Sequence, residues 1–179
     1  MEIYLIRHTT PKIEKGICYG QSEIQVTDNF ETEAKDTLRK VPPTIKTIYT
    51  SPMTRCKMLA DFLSRTTKIP VIQDARLKEL DFGDWEMKRW DDINQSHLMK
   101  WMNNYEVERC PRGESYIDLV TRVKDFIQNM TAHNGPVLIV THAGVIKAFH
   151  ALINQKSLQA AMDLKIGYGE IISMTYKSL

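Results

Sequence analysis

Two short apolar runs, Ile3-Tyr4-Leu5-Ile6 and Val137-Leu138-Ile139-Val140, constrain this chain more than any other feature. Neither interleaves polar residues, so neither reads as a strand with one wet face; both read as strands covered on both sides. Such strands need helices above and below them, which points to a parallel sheet inside an α/β domain. Each run stops in a polar pair, Arg7-His8 and Thr141-His142. Thr9-Thr10-Pro11 ends the first, and Ala143-Gly144 follows the second ahead of a helix. Open α/β sheets bind ligands outside the carboxyl ends of their strands, where these polar residues would stand.

The intervening sequence alternates in the same way. Residues 12–28 read as a long loop carrying Cys18-Tyr19-Gly20-Gln21-Ser22-Glu23, and Asp28 with Glu31 suggests a cap for a helix over about 30–40. A strand is expected at 45–50. Ser51 is expected as N-cap and Pro52 as the first residue of a helix reaching about 66, with Met58, Leu59, Phe62 and Leu63 buried. Pro70-Val71-Ile72 is a short strand, residues 76–86 an irregular loop, and 88–103 an amphipathic helix with Trp90, Ile93, Met99 and Trp101 as its larger apolar members. Ser115 with Asp118 caps a helix whose inner face carries Ile117, Val120, Val123, Phe126, Ile127 and Met130. Asn134-Gly135-Pro136 turns the chain into the second apolar run. A helix follows from Val145 to about Ile153, a further turn or two lies within 157–164, and Glu170–Tyr176 closes as an edge strand. The expected architecture is a three-layer α/β/α sandwich with a mainly parallel sheet, a single domain over residues 1–179.

Composition narrows the function. A net charge of +2, with basic residues spread along the chain, carries no whole-molecule signature of nucleic-acid binding, so any anion site is local. No run approaches the roughly 20 apolar residues that span a bilayer, and no leader segment is visible, so a cytoplasmic protein is expected. Cys18, Cys56 and Cys110 are odd in number and far apart, which fits neither a disulfide framework nor a zinc knuckle. His97, His133 and His150 show no ligand spacing with carboxylates, so no metal or other cofactor is expected.

If the histidine-ending strands are neighbours, His8 and His142 converge with Arg7 and with Arg55, which projects from the first turn of the helix after Pro52. Two guanidiniums offer forked donors suited to phosphate oxygens. A neutral imidazole is a nucleophile, and nearby positive charge keeps it neutral. The leaving oxygen then needs an acid, for which Glu79 or another carboxylate of the 74–86 loop is the candidate. Trp85, Trp90 and Trp101 form either an ordinary hydrophobic subcluster or an apolar wall over a substrate pocket.

These residues resemble the histidine phosphatase superfamily, the phosphoglycerate-mutase-like proteins. The resemblance runs in order through Arg7-His8-Thr9, Gly20-Gln21-Ser22-Glu23, Ser51-Pro52-Met53-Thr54-Arg55-Cys56, Leu77 to Glu86, Gly113-Glu114-Ser115 and Thr141-His142-Ala143-Gly144-Val145. The loop Gly16 to Gln21 is most similar to the α-ribazole phosphatase branch, which acts in cobalamin biosynthesis. The resemblance implies a phosphomonoester hydrolase in which His8 becomes a phosphohistidine, Arg7, Arg55 and His142 cradle the phosphoryl group, and Glu79 is general acid and then base. It implies a small-molecule phosphomonoester as substrate, with Gly20, Gln21, Ser22 and Ala143 among the binding residues and residues 85–113 as a substrate-covering excursion. No metal, nucleic-acid or membrane partner follows from it, and oligomeric state is not legible. Thr9 stands where the family has glycine, and Pro11 and Glu14 replace residues that commonly touch the phosphate; main-chain donors near 20–22, or threonine hydroxyls, are the expected substitutes. A mutase-type phosphotransferase and a non-catalytic phospho-ligand binding module are the alternative functions.

Overall fold

The computed structural model describes residues 1–130 and 135–177; His133 and the start of the Asn134-Gly135-Pro136 turn lie outside them. Five strands, β1 (Glu2–Arg7), β2 (Thr47–Thr50), β3 (Val71–Gln73), β4 (Val137–Thr141) and β5 (Ile171–Thr175), form one sheet in the order β3-β2-β4-β1-β5. Only β5 runs antiparallel, against β1, and it forms one edge of the sheet. The helices are α1 (Phe30–Leu38), α2 (Thr54–Thr67), α3 (Gln95–Asn104), α4 (Tyr116–Met130), α5 (Ala143–Asn154) and α6 (Leu158–Met162).

Strand alternation sorts the core into two layers. Ile3, Leu5, Val137 and Ile139 face α4 and α5, packing with Leu119, Val123, Phe126, Val145 and Phe149. Ile6, Leu138 and Val140 face the other way, onto Leu59, Ala60 and Leu63 of α2 and Ala34 of α1. Every residue of β4 is buried, as its unbroken apolar run requires. The three-layer α/β/α architecture with a mainly parallel sheet is therefore present. Among the described residues no helix is long and apolar enough to cross a membrane.

Four local expectations are corrected. The helix after Ser51-Pro52 begins only at Thr54, with Met53 at its N-cap. The Ser51 N–H still continues the sheet, donating to Val140 O at 3.0 Å, and its hydroxyl is turned to His142. The helix expected over 88–103 begins at Gln95. The main chain before it is paired elsewhere: Met87 N–H donates to Cys18 O, Trp90 N–H to Gly16 O, and Lys88 O accepts from Cys18 N–H. Asn94 then caps α3 by accepting from the His97 N–H at 3.2 Å. At α1 the N-cap is Asn29 rather than Asp28, without a side-chain cap bond. Finally Met99 and Ile117, expected inside, are 51% and 48% exposed; Leu98 and Leu119 take the inward positions. The Ser115–Asp118 cap forms as expected, with the Ser115 N–H 2.8 Å from Asp118 Oδ2.

Candidate active site

The sheet order places the polar strand ends side by side. β1 and β4 are parallel neighbours, with Arg7 in register with Thr141, and β2 lies on the other side of β4. His8 and His142 therefore emerge together, their rings 5.2 Å apart edge to face, and Arg55 enters from the start of α2. His8, His142 and Arg55 are all essentially inaccessible to water.

His8 is fixed in one tautomer. Its Nδ1 lies 2.7 Å from Thr9 O, and a carbonyl can only accept, so Nδ1 carries the proton and Nε2 keeps its lone pair. Burial, the Arg55 charge and then that of Arg7 push the imidazole down to about 3, against the opposing effect of the Thr9 bond. At neutral pH it is an uncharged imidazole with a free lone pair on Nε2. His142 is likewise pushed well below its ordinary value, by burial first and then by His8 and Arg55. Its Nε2 lies 2.9 Å from the Ser51 hydroxyl and 3.5 Å from Cys56 Sγ.

The two arginines are held by main-chain carbonyls. Arg7 Nη1 donates to Ile166 O at 2.6 Å, and its guanidinium stacks 3.8 Å from the centroid of the Tyr168 ring. Arg55 donates from Nη1 to Ser22 O at 2.9 Å and from Nη2 to Gly20 O at 2.5 Å, with Tyr19 5.4 Å away. The Nε atoms of both arginines are buried without a partner, so each guanidinium keeps unspent donor capacity. The Tyr19 and Tyr168 hydroxyls meet at 3.0 Å and link the two stacks.

The 20–22 segment contributes differently from expectation. The Gln21 and Ser22 N–H groups are taken by Glu86, at 2.7 and 2.6 Å, and the Ser22 hydroxyl also binds that carboxylate. What this segment turns toward Arg55 is its carbonyls. A Cβ at Gly20 would collide with Leu80 O, so only glycine permits this approach. Of the threonines after His8, Thr9 has a fully buried Oγ1 with no partner, whereas the Thr10 N–H is bound to Glu33 at 2.8 Å.

Glu79 lies across the cleft, its Oε1 accepting from the Leu80 N–H at 3.0 Å and its Oε2 from the Gly144 N–H at 3.1 Å. A side chain at Gly144 would strike this carboxylate. Arg122 anchors the main chain beneath it, donating to Arg76 O, Lys78 O and Glu79 O while paired with Glu114 at 2.8 Å. Ala143 is the first residue of α5, between His142 and Gly144.

A cavity of about 270 Å³ opens on this group, reached by Arg7, His8, Glu79 and Gly144 and walled by Phe82, Trp90, Trp101, Tyr105 and Tyr116. Trp90 and Trp101 thus belong to the cavity wall, whereas Trp85 is buried behind them, packed on Trp101 at 5.7 Å. Sequence reasoning missed Tyr168, Glu86 and Arg122, whose partners lie far away in the chain, and Lys147, which also lines the cavity.

The chain's residues 3–178 match the model of the histidine phosphatase superfamily, branch 1. The chain belongs to this superfamily. It is 28% identical over 163 residues to a Hydrogenobacter thermophilus protein named "Putative phosphoserine phosphatase 2", covering 88% of this chain and 80% of that one. It is 25% identical over 179 residues to the adenosylcobalamin/α-ribazole phosphatase of Escherichia coli K12, covering 94% and 87%. The crystal structure of the Shigella flexneri α-ribazole phosphatase superposes with a TM-score of 0.89 at 22% identity, covering 97% of this chain and 89% of that one, a likeness of fold. The chain is thus a superfamily member whose relatives are named for several different phosphoesters.

Proposed function

We propose that this protein is a phosphomonoester hydrolase that passes through a phosphohistidine on His8. The reading rests above all on the His8 tautomer: Nδ1–H is committed to Thr9 O, leaving Nε2 unprotonated beside two guanidiniums. In the first step Nε2 attacks phosphorus, the N–P bond forms and the bond to the leaving oxygen breaks. Arg7, Arg55 and His142 bind the non-bridging oxygens, and Glu79, as the acid, gives its proton to the leaving oxygen. Water then attacks the phosphohistidine, its proton passes to the Glu79 carboxylate, and phosphate departs with His8 regenerated. Such catalysis is mostly positioning and charge stabilisation, and the buried Arg55 and partly buried Arg7 guanidiniums provide both without a metal ion.

Residues 85–113 and the 16–19 loop cover the leaving-group side in this reading, and the substrate is a small molecule. α-Ribazole 5′-phosphate is the first substrate to test, on the motif likeness of the Gly16–Gln21 loop and the named E. coli relative. The decisive experiment is quenching in alkaline denaturant during turnover of a 32P-labelled monoester, followed by peptide mapping kept at alkaline pH. Label on His8 is expected. Normal phosphate release by His8→Ala would overturn the mechanism, and efficient interconversion of phosphoglycerate isomers would replace hydrolase by mutase. Activity is expected to survive EDTA and to fall with vanadate.

A further inference from the structure

The cavity beside Glu79 is walled mainly by aromatic and aliphatic side chains, yet two long cations reach it, Arg7 and Lys147. Arg7 belongs to the phosphoryl end, stacked on Tyr168 and bonded to Ile166 O. Lys147 has no such assignment. It stands on α5 three residues after Gly144, which places the two on one helix face about a turn apart. The Gly144 N–H holds Glu79, and Lys147 lines the same cavity as both.

Its ammonium donates to Met162 O at 2.8 Å, the last residue of α6. An ammonium has three N–H donors, and among the described residues no carboxylate lies within ion-pair distance of this one. Glu79 and Asp163 act on it only through their fields, opposed by Arg7, while burial disfavours its charge. A partly buried cation without an anion, set in an apolar cavity, is costly unless a ligand supplies the counter-charge.

Building on the phosphatase reading, we propose that Lys147 is a specificity-determining residue that binds an anionic oxygen group, a carboxylate or a second phosphate, on the leaving-group half of the substrate. The substrate class is then a phosphomonoester with an apolar or ring-bearing body, matched to Phe82, Trp90 and Trp101, and a second anion beyond it, which α-ribazole 5′-phosphate lacks.

The test compares 4-carboxyphenyl phosphate with 4-carbamoylphenyl phosphate, its neutral isostere, and compares the two matching phosphonates by calorimetry. The wild-type protein should prefer the carboxylate in kcat/KM and in phosphonate affinity by about tenfold, the order of a charge-assisted hydrogen bond. In Lys147→Met the preference should fall to about one, and Lys147→Arg should restore most of it. An absent wild-type preference overturns the proposal, as does a preference that persists in Lys147→Met. A change of both substrates by the same factor does so too, because it would mean that Lys147 acts through Glu79 or only as the α6 cap. The phosphonate arm separates the two readings. Binding discrimination without hydrolysis would uphold the anion subsite and overturn the phosphatase, whereas hydrolysis without discrimination would do the reverse.

Discussion

At one end of the cleft, Arg55 is wholly buried, held by two carbonyls of a loop that is itself pinned by Glu86. At the other end, Phe82, Trp90 and Trp101 meet the cavity through ring edges and faces 5.5 to 6.0 Å apart. Directional bonds from the sheet ends, α2 and the 20–22 loop fix the first region, so displacing one group leaves buried polar atoms unsatisfied. Non-directional packing shapes the second, which can change residues and still close. The phosphoryl end would thus suit one invariant group, whereas the leaving-group end can be refitted to different alcohols. That contrast accords with relatives of one fold bearing the names of different phosphoesters.

The largest effect expected is at His8. His8→Ala should lower phosphate release by at least about 10⁴-fold and abolish the alkali-stable, acid-labile label transfer, since the proposed mechanism has His8 as its nucleophile.

Acid should destabilise the phosphoryl end next most strongly. Both imidazoles sit below their ordinary value of 6.5, so the unfolded chain takes up protons on them as the pH falls while the folded chain does not. Stability should decrease from pH 6.5 to 5, by roughly 1.5 kcal/mol for His8, with His142 acting in the same direction, before carboxylates contribute. Urea titrations at both pH values measure this, and His8→Gln should remove the His8 part of the slope. A flat profile would mean that the histidines are solvated, and the contrast between the two ends would fail.

Arg55→Lys should lower kcat by about 10² to 10³-fold, because a compact ammonium lacks the planar fork whose separate nitrogens bind the Ser22 and Gly20 carbonyls and still face a phosphoryl oxygen. Glu86→Gln tests the layer behind it. The amide NH2 would face the Gln21 or Ser22 N–H, the loop would shift, and kcat should fall about tenfold or more with KM changing less. A pure stability loss with kcat intact would separate Glu86 from the phosphoryl end.

The smallest effect belongs to the apolar wall. Trp90→Ala should raise KM for bulky aryl phosphates by several-fold to about tenfold while changing a small alkyl phosphate less. A uniform collapse of kcat would show the two ends to be mechanically coupled.

Sequence alone determined the layers and which polar groups stand at the strand ends. An unbroken apolar strand must be covered on both faces, which fixes a three-layer plan, and a His or Arg directly after it can only surface at the strand's carboxyl edge. Arg7, His8 and His142 were legible for that reason and Arg55 from the helix start after β2, and their convergence needed β4 to lie between β1 and β2, which the sheet order supplies. The helix starts at 51 and 88 were misread because backbone donors there answer to partners remote in the chain: Ser51 to β4 and His142, and residues 87–90 to the 16–18 loop. Glu86, Tyr168, Arg122 and Lys147 share that difficulty. Their partners lie at sequence separations of 64, 161, 43 and 15 residues respectively. A local pattern records which face of its own element a residue occupies. Which carbonyl, ring or carboxylate comes to meet that face is decided only when distant segments pack.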